Sequence, residues 1–109
     1  MIAIEAVLDE GGVLQSCKAV GHAGAGRTGT DIVCAAVSVL MRTAVRSLDG
    51  RKGITIRWEA PEPGFLSLEA DYTAEGRDFL FAAGVFLVEG LSSVAEEYPE
   101  HCSFKINRI

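Results

Sequence analysis

The apolar positions of this chain change their period several times, and each change marks an element. Ile2 to Leu8 (IAIEAVL) and Val13 to Val20 (VLQSCKAV) are rich in strand-forming residues, and the Asp9-Glu10-Gly11-Gly12 link between them reads as a tight turn. The pair predicts a β-hairpin. Gly21 to Gly29 (GHAGAGRTG) holds four glycines in nine residues and predicts a loop without regular structure. Asp31 then precedes IVCAAVSVLMRTAVRSL, a helix-length run that carries Arg42 and Arg46 four apart on a wet face and stops before Gly50. Asp31 is the predicted N-cap. Ile54 to Trp58 and Phe65 to Ala70 read as strands joined through Pro61, Pro63 and Gly64, residues that do not continue a ladder. A second helix is predicted from Ala74 to Glu97 and a short last strand from Ser103 to Ile106.

The order ββαββαβ implies an α+β fold in which two helices pack on a mixed or antiparallel sheet of about five strands. Gly76, Gly84 and Gly90 each cost the second helix up to about 1 kcal/mol against alanine, so tertiary packing has to hold it, and close packing is their simplest role. No repeat, low-complexity segment or linker is visible, and 109 residues suit one domain spanning 1–109.

Composition narrows the classes. Hydrophobic residues make up 49% and charged residues 23%, enough apolar surface to offset chain entropy. The densest apolar stretch, Phe79 to Val88, covers ten residues and includes Gly84, whereas a membrane helix needs about 20, so no membrane partner is expected. Glu5, Asp9 and Glu10 stand where a secretory leader would carry basic residues, which points to the cytoplasm. A net charge of −5 opposes direct nucleic-acid binding and favours a basic partner. The three cysteines are widely spaced and odd in number, without paired CxxC spacing, so free thiols are expected and neither a metal nor another cofactor is implied.

Two residues carry candidate chemistry. With Asp31 as cap, Cys34 falls at the third helical position, within the turn whose N–H groups and macrodipole favour a thiolate. His22 lies where the second strand enters the glycine loop, which returns the chain to the helix bearing Cys34. Such a pair supplies an attacking sulfur and a group that takes and returns its proton, while helix N–H groups hold the oxyanion. Spacing alone is thin ground, because buried inert cysteines are common.

Other residues have plainer readings. Ser38, one turn beyond Cys34, bonds within the site or back to the Cys34 carbonyl. Cys17 and Cys102 read as packed thiols, His101 as a solvated residue at a helix end, and Glu96, Glu97 and Glu100 as a wet surface. Trp58 reads as a strand residue anchored in or near the core, with a substrate groove as the other option. Phe79, Phe81 and Phe86 cannot all point one way on a helix, so at least one can reach a partner subunit.

A nucleotide- or phosphate-binding module competes. Gly24, Gly26 and Gly29 satisfy GxGxxG, and Gly21 with Gly26, Arg27 and Thr28 nearly satisfies a P-loop, both between a strand and a helix. Arg27 in place of lysine, a helix start after Asp31, and an opening hairpin instead of a parallel βαβ unit count against it. A non-catalytic interaction domain on the same fold is the third option.

The segment GHAGAGRTGTDIVCAAVSVL resembles the signature of the ribosomal-processing cysteine protease family Prp, which runs GHAG, a short glycine-containing loop, then DIVCAAVS. The resemblance implies a small α/β peptidase that removes a short N-terminal extension from large-subunit ribosomal protein twenty-seven. It implies Cys34 as nucleophile and His22 as base, with Gly21, Asp31 and Ser38 also matching the motif. The glycine loop, with Gly21, Gly24, Gly26 and Gly29, would close over the extended backbone of the substrate. Ala25 stands where many relatives carry an aromatic residue. The family forms homodimers, and the apolar second helix is the surface that would serve.

Overall fold

The computed structural model describes residues 1–21 and 28–109, with side chains of the second segment from residue 32 onward. The elements are β1 (Ile2–Leu8), β2 (Leu14–Val20), α1 (Thr28–Leu48), β3 (Ile54–Glu59), β4 (Phe65–Tyr72), α2 (Arg77–Glu97) and β5 (Cys102–Arg108). They form one five-stranded mixed sheet in the order β3-β4-β2-β1-β5, parallel only between β1 and β5. This is the ββαββαβ, two-helix arrangement read from the sequence.

Alternation decides which face of the sheet carries the helices. Ile2, Ile4, Ala6 and Leu8 of β1 are buried, as are Cys17 and Ala19 of β2 and Leu68 and Ala70 of β4. Their period of two puts them on one face. Val33, Val37, Met41, Val45 and Leu48 of α1 and Leu80, Leu87 and Leu91 of α2 close over that face. Each such side chain contributes about 1.5–3 kcal/mol when taken out of water. The opposite face is polar, and there Arg57 of β3 reaches across to Glu69 and Asp71 of β4 at 3.2 Å each.

The turn of the β1–β2 hairpin is held by one carboxylate. Asp9 accepts the N–H groups of Gly11 and Val13, both at 2.9 Å, and the hydroxyl of Tyr72. Those donors stabilise the anion and hold its carboxyl below the usual aspartate range, the Tyr72 bond being the largest cause. The same bond pushes the Tyr72 hydroxyl above its ordinary value.

Two element boundaries differ from expectation. The second helix starts at Arg77 instead of Ala74, because Gly53 and Gly76 bring two backbones together: Thr73 N–H donates to the Gly53 carbonyl at 2.9 Å and Gly76 N–H to Thr73 at 3.0 Å. A Cβ on Gly76 would overlap the Gly53 carbonyl, so this tight turn precedes the helix. The first helix starts at Thr28, three residues before Asp31. Asp31 is therefore inside the first turn and does not cap it.

The glycines of α2 lie where other elements press on it. A Cβ on Gly84 would stand 2.9 Å from Cβ of Leu14, and one on Gly90 would meet the methyl groups of Leu40 on α1, the nearer at 2.8 Å. By length and composition α2 is sufficient to cross a membrane, contrary to the ten-residue reading of its apolar stretch. In this fold Leu80, Gly84, Leu87 and Leu91 are its buried face against the sheet and α1, while Phe79, Val85 and Phe86 remain exposed.

Candidate active site

At one end of the sheet a cleft of about 550 Å³ opens between α1 and the β3–β4 connection. Its floor is apolar and comes from strand ends: Ile2 of β1, Ala19 of β2 and Leu66 of β4. One side is the flank of α1 that faces away from α2. Cys34, Ser38 and Arg42 stand there at intervals of four, the spacing that stacks side chains along one helix face. The other side is the Pro61-Glu62-Pro63-Gly64 turn.

The wall is tied to the end of β2. Gly21 N–H donates to the Gly64 carbonyl at 2.9 Å. Gly21 has a φ of +124°, and a Cβ on it would run into the Met1 carbonyl. Only glycine fits that combination of backbone angle and close approach. Gly21 lines the same cleft as Cys34 and is followed in sequence by His22.

Among the three thiols, Cys34 is the half-buried one that reaches the cleft. Cys17 is buried between strands and helices, where desolvation pushes its thiol up to about 12. Burial raises Cys102 as well. Both are held neutral, in keeping with their reading as packed hydrophobes.

The helix register corrects one element of the expected site. Cys34 is the seventh residue of α1 and not the third. Within the helix, the N–H groups that open it without intrahelical partners are those of Thr28, Gly29 and Thr30, one turn before it. Gly29, expected in the loop, is the second residue of the helix. The competing phosphate motifs gain from this, since the helix starts within both of them. They lose on topology, because β1 and β2 are antiparallel neighbours and no βαβ unit precedes the helix.

Ser38 is half-buried, and among the described residues its hydroxyl makes no hydrogen bond, so the back-bond to the Cys34 carbonyl is not formed. His22, Gly24 and Gly26 lie outside the described residues, as does the Asp31 side chain. His101 is half-buried and holds the end of β1 through its carbonyl, which accepts Ile2 N–H at 2.9 Å. Trp58 is 52% exposed, so it is not a core anchor: β3 is an edge strand and the helices do not extend over its end. Among the described residues no three His, Cys, Asp or Glu side chains converge to hold a metal ion.

Two parts of the cleft are absent from the sequence reading. Arg42 is exposed, as the wet-face reading has it, and its spacing of eight from Cys34 also puts it on the flank that borders the cleft. The Pro61–Gly64 turn read as a simple connection, and only the fold brings it opposite Cys34.

A family model described as cysteine protease Prp matches residues 1–103. Among solved structures, SMU.848 from Streptococcus mutans is similar at 28% identity and a TM-score of 0.84, over 100% of this chain and 96% of that one. The essential ribosomal processing protease Prp from S. aureus, in complex with a substrate peptide, is similar at 20% identity and a TM-score of 0.82, over 98% and 100%. The same S. aureus protease with a covalently linked product peptide gives 21% identity and 0.81, over 98% and 100%. No curated protein matches the chain.

Proposed function

We propose, from the premise that the chain belongs to the Prp family of cysteine proteases, that it removes an N-terminal extension from large-subunit ribosomal protein twenty-seven, using Cys34 as nucleophile and His22 as base. The observation that carries this reading is a single cleft lined by Cys34 and by Gly21, the neighbour of His22 in the chain. The S. aureus relative captured with a substrate peptide and with a covalently linked product peptide supports a peptide substrate and a covalent route.

In this mechanism the Cys34 sulfur bonds to the peptide carbonyl carbon while His22 takes the thiol proton. The carbon–nitrogen bond then breaks and His22 gives that proton to the departing amine. Water attacks the thioester, releasing the new carboxylate and restoring the thiol. A helical side chain leans toward the N-terminus, so the Cys34 sulfur lies over the turn before its own Cα, toward the unpartnered N–H groups that would hold the oxyanion. Asp31, one turn back, orients His22 or receives substrate, and the Ser38 hydroxyl offers a hydrogen bond to bound peptide. Gly21, Gly24 and Gly26 let the adjoining segment close on an extended backbone.

The net charge of −5 favours a basic ribosomal protein as partner, and a ribosomal substrate implies a cytoplasmic place of work. A homodimer formed through α2 would cover Phe79, Val85 and Phe86. The test is incubation of the purified ribosomal precursor with wild type and with Cys34→Ala, followed by intact-mass analysis. Wild type is expected to release the extension and, on rapid quenching, to carry it as a thioester, and Cys34→Ala to do neither. Cleavage by Cys34→Ala at the wild-type rate would remove Cys34 from its role. A precursor left intact by an enzyme that cuts other peptides would remove the substrate.

A further inference from the structure

We propose that Arg42 is a second anchor for the substrate, binding an acceptor oxygen of the peptide three or four residues from the scissile bond; the inference rests on the protease reading above. Arg42 lines the cleft on the same flank of α1 as Cys34 and Ser38, and it is the cleft's only cation among the described residues. It makes no ion pair or hydrogen bond with any described residue, including Glu62 on the facing wall. Apolar residues form the floor between it and Cys34. A guanidinium so placed presents a fork of donors at the end of an apolar trough.

The spacing sets the subsite. Eight residues of α-helix rise about 12 Å, at about 1.5 Å per residue. An extended peptide advances about 3.3 Å per residue, so about 12 Å equals three to four residues. A substrate lying along α1 with its scissile carbonyl at Cys34 therefore brings its third or fourth neighbouring residue to Arg42. The acceptor is a side-chain carboxylate or amide, or a main-chain carbonyl.

The experiment measures kcat and KM for wild type, Arg42→Ala and Arg42→Lys on peptides that keep one cleavage site and carry two to six residues on either side. Circular dichroism first confirms that the variants, altered at an exposed side chain, melt with wild type. Wild type is expected to gain tenfold or more in kcat/KM when one arm grows from two to four residues. Arg42→Ala is expected to lose that gain through KM, with kcat little changed, and to match wild type on peptides shortened to two residues on that arm. Arg42→Lys should keep part of the gain. At the responsive position, Glu and Gln cutting better than Ala assigns a side-chain acceptor, and equal rates assign the main-chain carbonyl. Loss of the same factor on short and long peptides, or no loss on either, overturns the anchor while the protease reading stands. A wild type that cuts no peptide of any length overturns the protease reading and the anchor with it.

Discussion

The contacts of α2 set two glycine-to-alanine substitutions against each other. Both remove the same helix penalty, worth about 1 kcal/mol in favour of alanine. They differ in what the new methyl meets. At Gly84 it stands 2.9 Å from the Leu14 Cβ, an atom fixed to the β2 backbone, with the Leu14 nitrogen at 3.6 Å behind it. Relief there requires the helix and sheet to separate, and overpacking of this kind costs about 1–3 kcal/mol. At Gly90 its nearest neighbours are the terminal methyls of Leu40, at 2.8 and 3.2 Å, which move aside by rotation at about 0.5–1.5 kcal/mol. Gly84→Ala is thus expected to lose up to about 2 kcal/mol net, with about 1 kcal/mol as the central value, and Gly90→Ala to stay near wild type. At roughly 4–8 °C per kcal/mol for a domain of this size, the two variants should melt about 4–8 °C apart, Gly84→Ala lower. Calorimetry or circular dichroism at matched pH reads the difference. Equal melting temperatures, or Gly90→Ala as the weaker protein, would show that the glycines do not mark the contacts assigned to them.

Iodoacetamide on native protein should label Cys34 and spare Cys17 and Cys102, and all three should react in denaturant; peptide mapping that finds Cys17 labelled as fast as Cys34 would contradict the burial described. Replacing His22 by alanine should slow alkylation of Cys34 at pH 7 by about tenfold or more, and an unchanged rate would take the imidazole out of the mechanism. The Asp9 carboxyl, held below its unfolded value, adds stability above about pH 3.9 and gives it up as the pH falls through its folded value. Urea midpoints between pH 5 and pH 2 should therefore fall less steeply for Tyr72→Phe than for wild type, and identical slopes would exclude the Tyr72 bond as the cause. Gly21→Ala should lower kcat/KM at least tenfold while the protein remains folded, because the added Cβ displaces the cleft's edge against the Met1 carbonyl; wild-type activity would show that Gly21 does not set the site.

The strands were legible because their signal is short-range. Ile2, Ile4, Ala6 and Leu8 alternate in the sequence as they do in the sheet, and Pro61 with Gly64 breaks the ladder where the chain turns. The start of α1 was not legible, because Asp31 is a good cap by residue type and the glycine at 29 argues against a helix that in fact includes it. Val33, Val37 and Met41 pack inward with either start, so the apolar pattern does not separate the two. The start of α2 was moved by a contact between Gly53 and Gly76, which are far apart in the chain. Trp58 was misplaced for a related reason: exposure depends on which strand lies at the edge, and that is not written in local pattern, whereas Arg42 is exposed as its spacing with Arg46 implies and only the fold shows that its flank also borders a cleft.

The register of α1 also changes which force can activate the thiol. A charge gains from the macrodipole chiefly within the first turn, typically by about 0.3–1 kcal/mol at exposed sites. Cys34 stands in the second turn, so the helix start contributes less than a third-position cysteine would receive. The work of making the sulfur nucleophilic then falls mainly on a nearby cation or base. Arg42 is two turns away along the helix, about 12 Å, too far to act on the sulfur directly. In the proposed mechanism this leaves His22 the larger share: the helix would position the sulfur and its first N–H groups would receive the developing oxyanion, while the imidazole would supply the activation. A substitution that weakens the first turn alone should therefore reduce turnover more than it reduces alkylation of Cys34, since alkylation develops no oxyanion.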